Sequence, residues 1–225
     1  MNKVFPNVDF SNKAFPFMTF QFHTYKETQI RILRASFTGE MGYEIYVPAN
    51  MALKVWEEIH NYGKDFQLIP YGTETMHLLR AEKGYIIVGQ ETDGSVTPID
   101  LDMNWIVSKK KYDFIGKRAL NRSDTVKENR KQLVGILTVD PSIVLEEGSQ
   151  LVEVETSLPM PMVGHITSSY YSPNLGRSIA LGLVKSGTKK KGSKLIVPTV
   201  NKSVEVEITS PVFIDPKNER LLAWL

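Results

Sequence analysis

The sequence predicts an α+β protein: an antiparallel sheet with helices, followed by a small all-β barrel domain. Three observations carry this. Strand-like alternation at the start gives way to helical spacing, then to six short strand candidates separated by Gly, Pro, Ser and Asn. An intervening polar stretch, Asn121 to Lys131, has Val126 as its only apolar residue. The 225 residues are enough for two cores of ordinary size.

Residues 1–18 hold Phe5, Phe10, Phe15 and Phe17 with Pro6 and Pro16, and read as an extended lead-in that packs on something. Met18, Phe20 and Phe22 alternate with Thr19 and Gln21, as the buried side of a half-buried strand would. Ile30 and Ile32 share one face of a second strand. Gly39 and Gly42 suggest a tight turn, after which Tyr43, Ile45 and Val47 alternate with Glu44 and Tyr46. A helix is expected from an Asn50 cap, with Leu53, Trp56, Ile59 and His60 at helical spacing and Gly63 just past its end. A second helix should start near Thr73, bury Met76, Leu79 and Ala81, and stop at Gly84. Residues 97–121 read as a mixed stretch with short helical turns.

Beyond residue 131 the strand candidates are Gln132–Val139, Gln150–Glu155, Met162–Ser168, Ser178–Val184, Lys194–Val197 and Val204–Ile208. Short strands at this spacing indicate a barrel or sandwich. The expected division is 1–125 for the first domain and 126–225 for the second.

Composition narrows the function classes. Hydrophobic residues make up 42% and charged residues 23%, the profile of an ordinary globular chain. No apolar run approaches the roughly 20 residues of a membrane-spanning helix. No secretion signal is visible, and a cytoplasmic location without a membrane partner is expected. The absence of Cys rules out disulfides, thiolate nucleophiles and Cys-bound zinc. A net charge of +2, with Lys109–Lys111 and Lys189–Lys191 reading as solvated runs, gives no ground for a nucleic-acid partner. The four His residues are isolated, so no metal site is expected, and no dinucleotide, phosphate-loop or serine-hydrolase motif is present.

Two local features could bind a polar ligand. Glu44 follows a glycine-bent segment and should project from the face opposite Tyr43, Ile45 and Val47. An ionised carboxylate accepts two hydrogen bonds side by side, which suits the donor pair of a pterin or guanine ring. Spacing alone favours a solvated charge there. Arg80 lies between apolar neighbours in the second helix, paired inside the protein or offered to a ligand carboxylate. Glu82, two residues on, lies on another side of the helix and is no obvious partner for it.

Four stretches in order resemble the aminomethyltransferase (glycine-cleavage T protein) superfamily. They are Ser36-Phe37-Thr38-Gly39-Glu40 through Tyr43-Glu44-Ile45; Leu79-Arg80-Ala81-Glu82-Lys83-Gly84; Asp113-Phe114-Ile115-Gly116-Lys117-Arg118-Ala119-Leu120; and Gly164 to Ser169 with Ser172-Pro173, Leu175-Gly176 and Ile179 to Gly182. Within it, Tyr71 to Pro98, the Asp9 to Met18 lead-in and Trp105 to Lys111 resemble the alpha subunits of heterotetrameric sarcosine oxidase. T proteins usually carry a tyrosine near Val88 and an asparagine-acid pair after the glycine. Val88-Gly89-Gln90-Glu91 departs from that pattern.

The resemblance implies a tetrahydrofolate site in the centre of a ring of subdomains. It implies that Glu44 holds the pterin, that Phe37 packs beside it and that Arg80 helps fix the folate. It also implies capture, as 5,10-methylenetetrahydrofolate, of the one-carbon unit released by oxidative demethylation of sarcosine. Flavin and NAD would sit elsewhere in the full complex. The family's catalytic aspartate would lie upstream of this chain, so no catalytic residue is assigned and only part of the folate pocket is expected here. The chain would then be a piece or a split-gene product whose partners are other sarcosine oxidase subunits or a missing N-terminal segment, with self-association as a further expectation. The alternatives are another folate-dependent aminomethyltransferase or demethylase, and a non-catalytic assembly module.

Overall fold

A computed structural model describes residues 1–200 and 202–222. They divide into two compact units, residues 1–79 with the segment from Asp215, and residues 80–214. Residues 80–125, which the sequence groups with the first domain, cluster with the strands that follow them.

The first unit is built on a three-stranded antiparallel sheet in the order β1 (Thr19–Tyr25), β2 (Thr28–Arg34), β3 (Glu44–Tyr46). Ile30 and Ile32 of β2 are buried, as their spacing requires. The phase of β1 is the reverse of the expectation. Phe20 and Phe22 are 55% and 59% exposed, whereas Gln21, His23 and Tyr25 face inward. The physical reason is the lead-in. Phe5, Phe10 and Phe15 fill the inner side of the sheet with Tyr25 and Tyr43, so Phe20 and Phe22 find no room there. Gln21 is held inward by donating to the Ala14 carbonyl at 2.8 Å.

The β2–β3 connection is not a tight turn. The register pairs Leu33 with Glu44 and Arg31 with Tyr46, which leaves residues 35–43 as a long loop. Helix α1 (Ala49–Gly63) starts after Pro48 without a side-chain cap, so Asn50 lies inside its first turn. Its buried stripe runs through Met51, Val55 and Ile59, while Leu53 and Trp56 are 68% and 60% exposed. The true stripe keeps the i, i+4, i+8 spacing that puts side chains on one face. Gly63 is the last residue of α1 and not the left-handed residue beyond its end. A short 3-10 turn continues to Phe66, and Gln67 takes the left-handed conformation at φ 55°. Gly63 is needed for space, since a Cβ there would meet the Leu68 side chain at 2.7 Å.

Helix α2 (Thr73–Glu82) runs close to the expected limits. At its end Gly84 has φ +68°, and the amide of Tyr85 returns to the Arg80 carbonyl at 2.9 Å. A left-handed glycine with such a back-bond is a common helix stop.

The second unit contains a nearly closed antiparallel barrel in the order β5-β6-β7-β4-β9-β8. The strands are β4 (Lys131–Thr138), β5 (Gln150–Leu151), β6 (Gly164–Ser172), β7 (Arg177–Lys185), β8 (Lys194–Pro198) and β9 (Ser203–Thr209). A bridge between Val152 and Ile196 ties the last strand to the first. Closure removes the open edges that a flat sheet would leave. Alternate residues such as Val134, Ile136, Val204, Val206 and Ile208 point inward and form the core. A short helix α3 (Glu219–Leu222) follows in the first unit. No helix among the described residues is long and apolar enough to cross a membrane.

Candidate functional site

Glu44 opens β3 on the exposed side of the three-stranded sheet. Its neighbours Tyr43, Ile45 and Val47 pack on the core, so the period-2 expectation for its direction holds. Cross-strand partners share a face, which places Phe20 and Phe22 of β1, Arg31 and Leu33 of β2, and Glu44 and Tyr46 of β3 on one surface. That surface is aromatic with one carboxylate and one guanidinium.

Two contacts organise it. The Tyr46 hydroxyl donates to Oε2 of Glu44. The Arg31 guanidinium lies 4.3 Å from the Tyr46 ring centroid and 6.0 Å from that of Phe20. The hydroxyl of Tyr46 is pushed above its ordinary value, first because it donates to Glu44. The second carboxylate oxygen of Glu44 accepts no protein hydrogen bond among the described residues. A carboxylate with a free oxygen beside a planar aromatic surface can take a planar heterocycle that presents adjacent N–H donors.

Phe37 lies in the 35–43 loop, 42% exposed, with its ring 6.3 Å from that of His77. It shares the first unit with Glu44.

Arg80 begins the second unit and is 1% exposed. One terminal nitrogen donates to Glu91 at 2.8 Å and to the Tyr85 carbonyl at 3.1 Å. The other donates to the Ser168 hydroxyl at 2.7 Å and reaches Tyr170 at 3.5 Å. Its Nε is buried without a partner. Of the two readings open in the sequence, the internal ion pair is the one formed. Glu91 is fully buried and also accepts from the Ile87 amide at 2.7 Å and from Ser168. The β6–β7 register shifts between Ile166 and Ser168, and a bulge of this kind re-aims the residues beside it.

Glu82 is not a partner of Arg80. Its carboxylate accepts from Ser172 and from the Asn174 amide at 2.9 Å. Glu91 and Ser168 stand in stretches that carry the family resemblance, but sequence reasoning gave them no role. Both stand in polar runs, Gln90-Glu91-Thr92-Asp93 and Thr167-Ser168-Ser169, which gave no signal of a buried role.

The comparisons with known proteins agree with this architecture. A sequence profile described as the GCVT N-terminal domain matches residues 1–111. Another, the glycine cleavage T-protein C-terminal barrel domain, matches residues 131–215. The chain belongs to the glycine-cleavage T-protein family. It is 49% identical over 222 residues to the sarcosine oxidase subunit alpha of Corynebacterium sp. (strain P-1), covering 97% of this chain and 23% of that protein. It is 36% identical to the corresponding subunit of Rhizobium meliloti (strain 1021), covering 95% of this chain and 22% of that protein. An aminomethyltransferase of Halothermothrix orenii is 31% identical, covering 88% of this chain and 54% of that protein. The structure of the glycine cleavage system aminomethyltransferase T from Bartonella henselae aligns with a TM-score of 0.73 at 25% identity, over 88% of this chain and 52% of that one. The chain thus spans 23% of the length of the first sarcosine oxidase subunit and about half that of the aminomethyltransferases.

Proposed function

We propose that this chain is the tetrahydrofolate-handling part of a sarcosine-oxidase-type alpha subunit. In this reading Glu44 holds the pterin and Phe37 packs beside it. The observation that carries the reading is the outward carboxylate of Glu44, with one free oxygen, on an aromatic sheet face. Tetrahydrofolate fits the residues present, because the pyrimidine ring of its pterin is planar and offers side-by-side N–H donors to a carboxylate. When bound, the folate supplies the nucleophilic nitrogen that takes up a one-carbon unit. The protein's residues bind and orient it, and this part of catalysis is positioning.

The 49% identity to a sarcosine oxidase subunit supports that enzyme over a different member of the family. Sarcosine would then be demethylated by a flavin site elsewhere, and other subunits or an upstream segment would complete the folate pocket. Arg80 enters as a positioning residue, because its guanidinium is already spent on Glu91, Ser168 and the Tyr85 carbonyl.

A second reading, a non-catalytic assembly module on the same fold, is favoured by that internal commitment of Arg80. Calorimetric titration with a stable reduced folate, 5-formyltetrahydrofolate, separates the two. Saturable binding that Glu44→Ala weakens roughly thirtyfold is expected, the loss typical of a charge-assisted contact. No binding by well-folded wild-type chain favours the assembly module.

A further inference from the structure

Exposed arginines near a carboxylate usually pair with it, since opposite charges a few ångströms apart attract even in water. Arg31 does otherwise. It is diagonal to Glu44 across the β2–β3 register, yet it forms no ion pair among the described residues. Its guanidinium instead stacks on Tyr46 at 4.3 Å, with Phe20 at 6.0 Å. The phenol between them turns its hydroxyl to Glu44.

The consequence is an ordered row. Arg31 restricts the Tyr46 ring through a cation–π contact, in which a planar guanidinium can stack on the ring as an ammonium cannot. The fixed ring aims its hydroxyl at one carboxylate oxygen and so sets the plane of the carboxylate. The other oxygen stays open, and the charge of Glu44 is not neutralised by a cation. A bidentate donor pair needs a carboxylate held in one plane, because misalignment weakens both bonds together.

We propose that Tyr46 and Arg31 are positioning residues for a planar N–H-donating heterocycle bound at Glu44. Tyr46 orients the carboxylate, and Arg31 holds Tyr46 in place. This rests on the reading of Glu44 as the ligand carboxylate. Both side chains reach solvent, Tyr46 being 42% exposed and Arg31 exposed as well.

The test is a double-mutant cycle read by calorimetry with 5-formyltetrahydrofolate. Tyr46→Phe keeps the ring but removes the donor, and binding should weaken on the order of tenfold. In a Glu44→Gln background the same substitution should cost almost nothing, because its effect passes through the carboxylate. Arg31→Lys should weaken binding less than Arg31→Gln, a graded rescue that a merely structural role would not give. Full additivity of Tyr46→Phe with Glu44→Gln, or wild-type affinity in Tyr46→Phe, overturns the proposal while leaving Glu44 as the ligand residue. Unchanged binding in Glu44→Gln, or none in the folded wild type, removes the folate reading and this proposal with it.

Discussion

The carboxylate of Glu91, which has no exposed surface, takes the guanidinium of Arg80 at 2.8 Å, so a residue from the end of α2 is neutralised by one eleven positions later. Ser168, carried by β6, donates to the same carboxylate while accepting from Arg80. Three groups from different elements therefore bond one another, and of the Arg80 nitrogens only Nε is left without a partner.

Removing the acid should be costly. Glu91→Ala leaves the Arg80 charge buried and unpaired, for an expected loss of about 3–5 kcal/mol. Urea unfolding followed by circular dichroism checks this, and Ser168→Ala should cost less because the ion pair survives.

The pair of Asp100 and Arg130 ties residues 97–100 to the start of β4. Arg130 bonds both carboxylate oxygens, at 2.8 and 2.5 Å, and Thr97 adds two bonds at 2.8 Å. Burial alone would raise the carboxyl of Asp100, but the bonds from Arg130 and Thr97 outweigh it and the group lies below its ordinary value. A carboxyl lowered by folding contributes stability above its unfolded pKa of about 4, and that contribution is lost as pH falls through the folded value. Thermal melts of wild type and Asp100→Asn should therefore differ near neutrality, begin to converge below about pH 4 and meet only below the folded value.

At Gly84 a Cβ would stand 2.6 Å from the Pro211 carbonyl oxygen, and the backbone is left-handed. Gly84→Ala should destabilise by about 2 kcal/mol or more, since neither the strain nor the clash with main chain can relax cheaply. Differential scanning calorimetry would show it as a lowered transition.

Phe20 and Phe22 form an exposed edge-to-face pair with ring centroids 5.6 Å apart. Exposed apolar surface of this kind promotes association. The chain should self-associate at micromolar concentrations, and Phe20→Thr with Phe22→Thr should shift light scattering towards monomer. A wild-type chain that is monomeric throughout removes the prediction.

Legibility in the sequence followed the range of the interactions. The barrel strands could be read because they are short runs, alternating as in β9 or continuously buried as in β7, set between turn residues, and the alternation about Glu44 aimed that residue. The phase of β1 could not, because Phe20 and Phe22 look like core residues until Phe10 and Phe15 take their place. Asn50 resembled a helix cap, but Pro48 occupies the cap position two residues earlier. The partners of Arg80 were hidden because Glu91 is reached through an irregular loop and Ser168 through the barrel. Tyr46 and Arg31 were visible as residues but not as a pair, since their contact depends on register.

The central claim is that the sheet face bearing Glu44 takes a reduced folate. Carbon NMR of chain labelled at glutamate and tyrosine side chains, titrated with 5-formyltetrahydrofolate, addresses it most directly. The account predicts saturable shifts at the Glu44 carboxyl and the Tyr46 ring, with Glu91 unchanged. Shifts confined to residues of the barrel, or none in a folded chain, would contradict it.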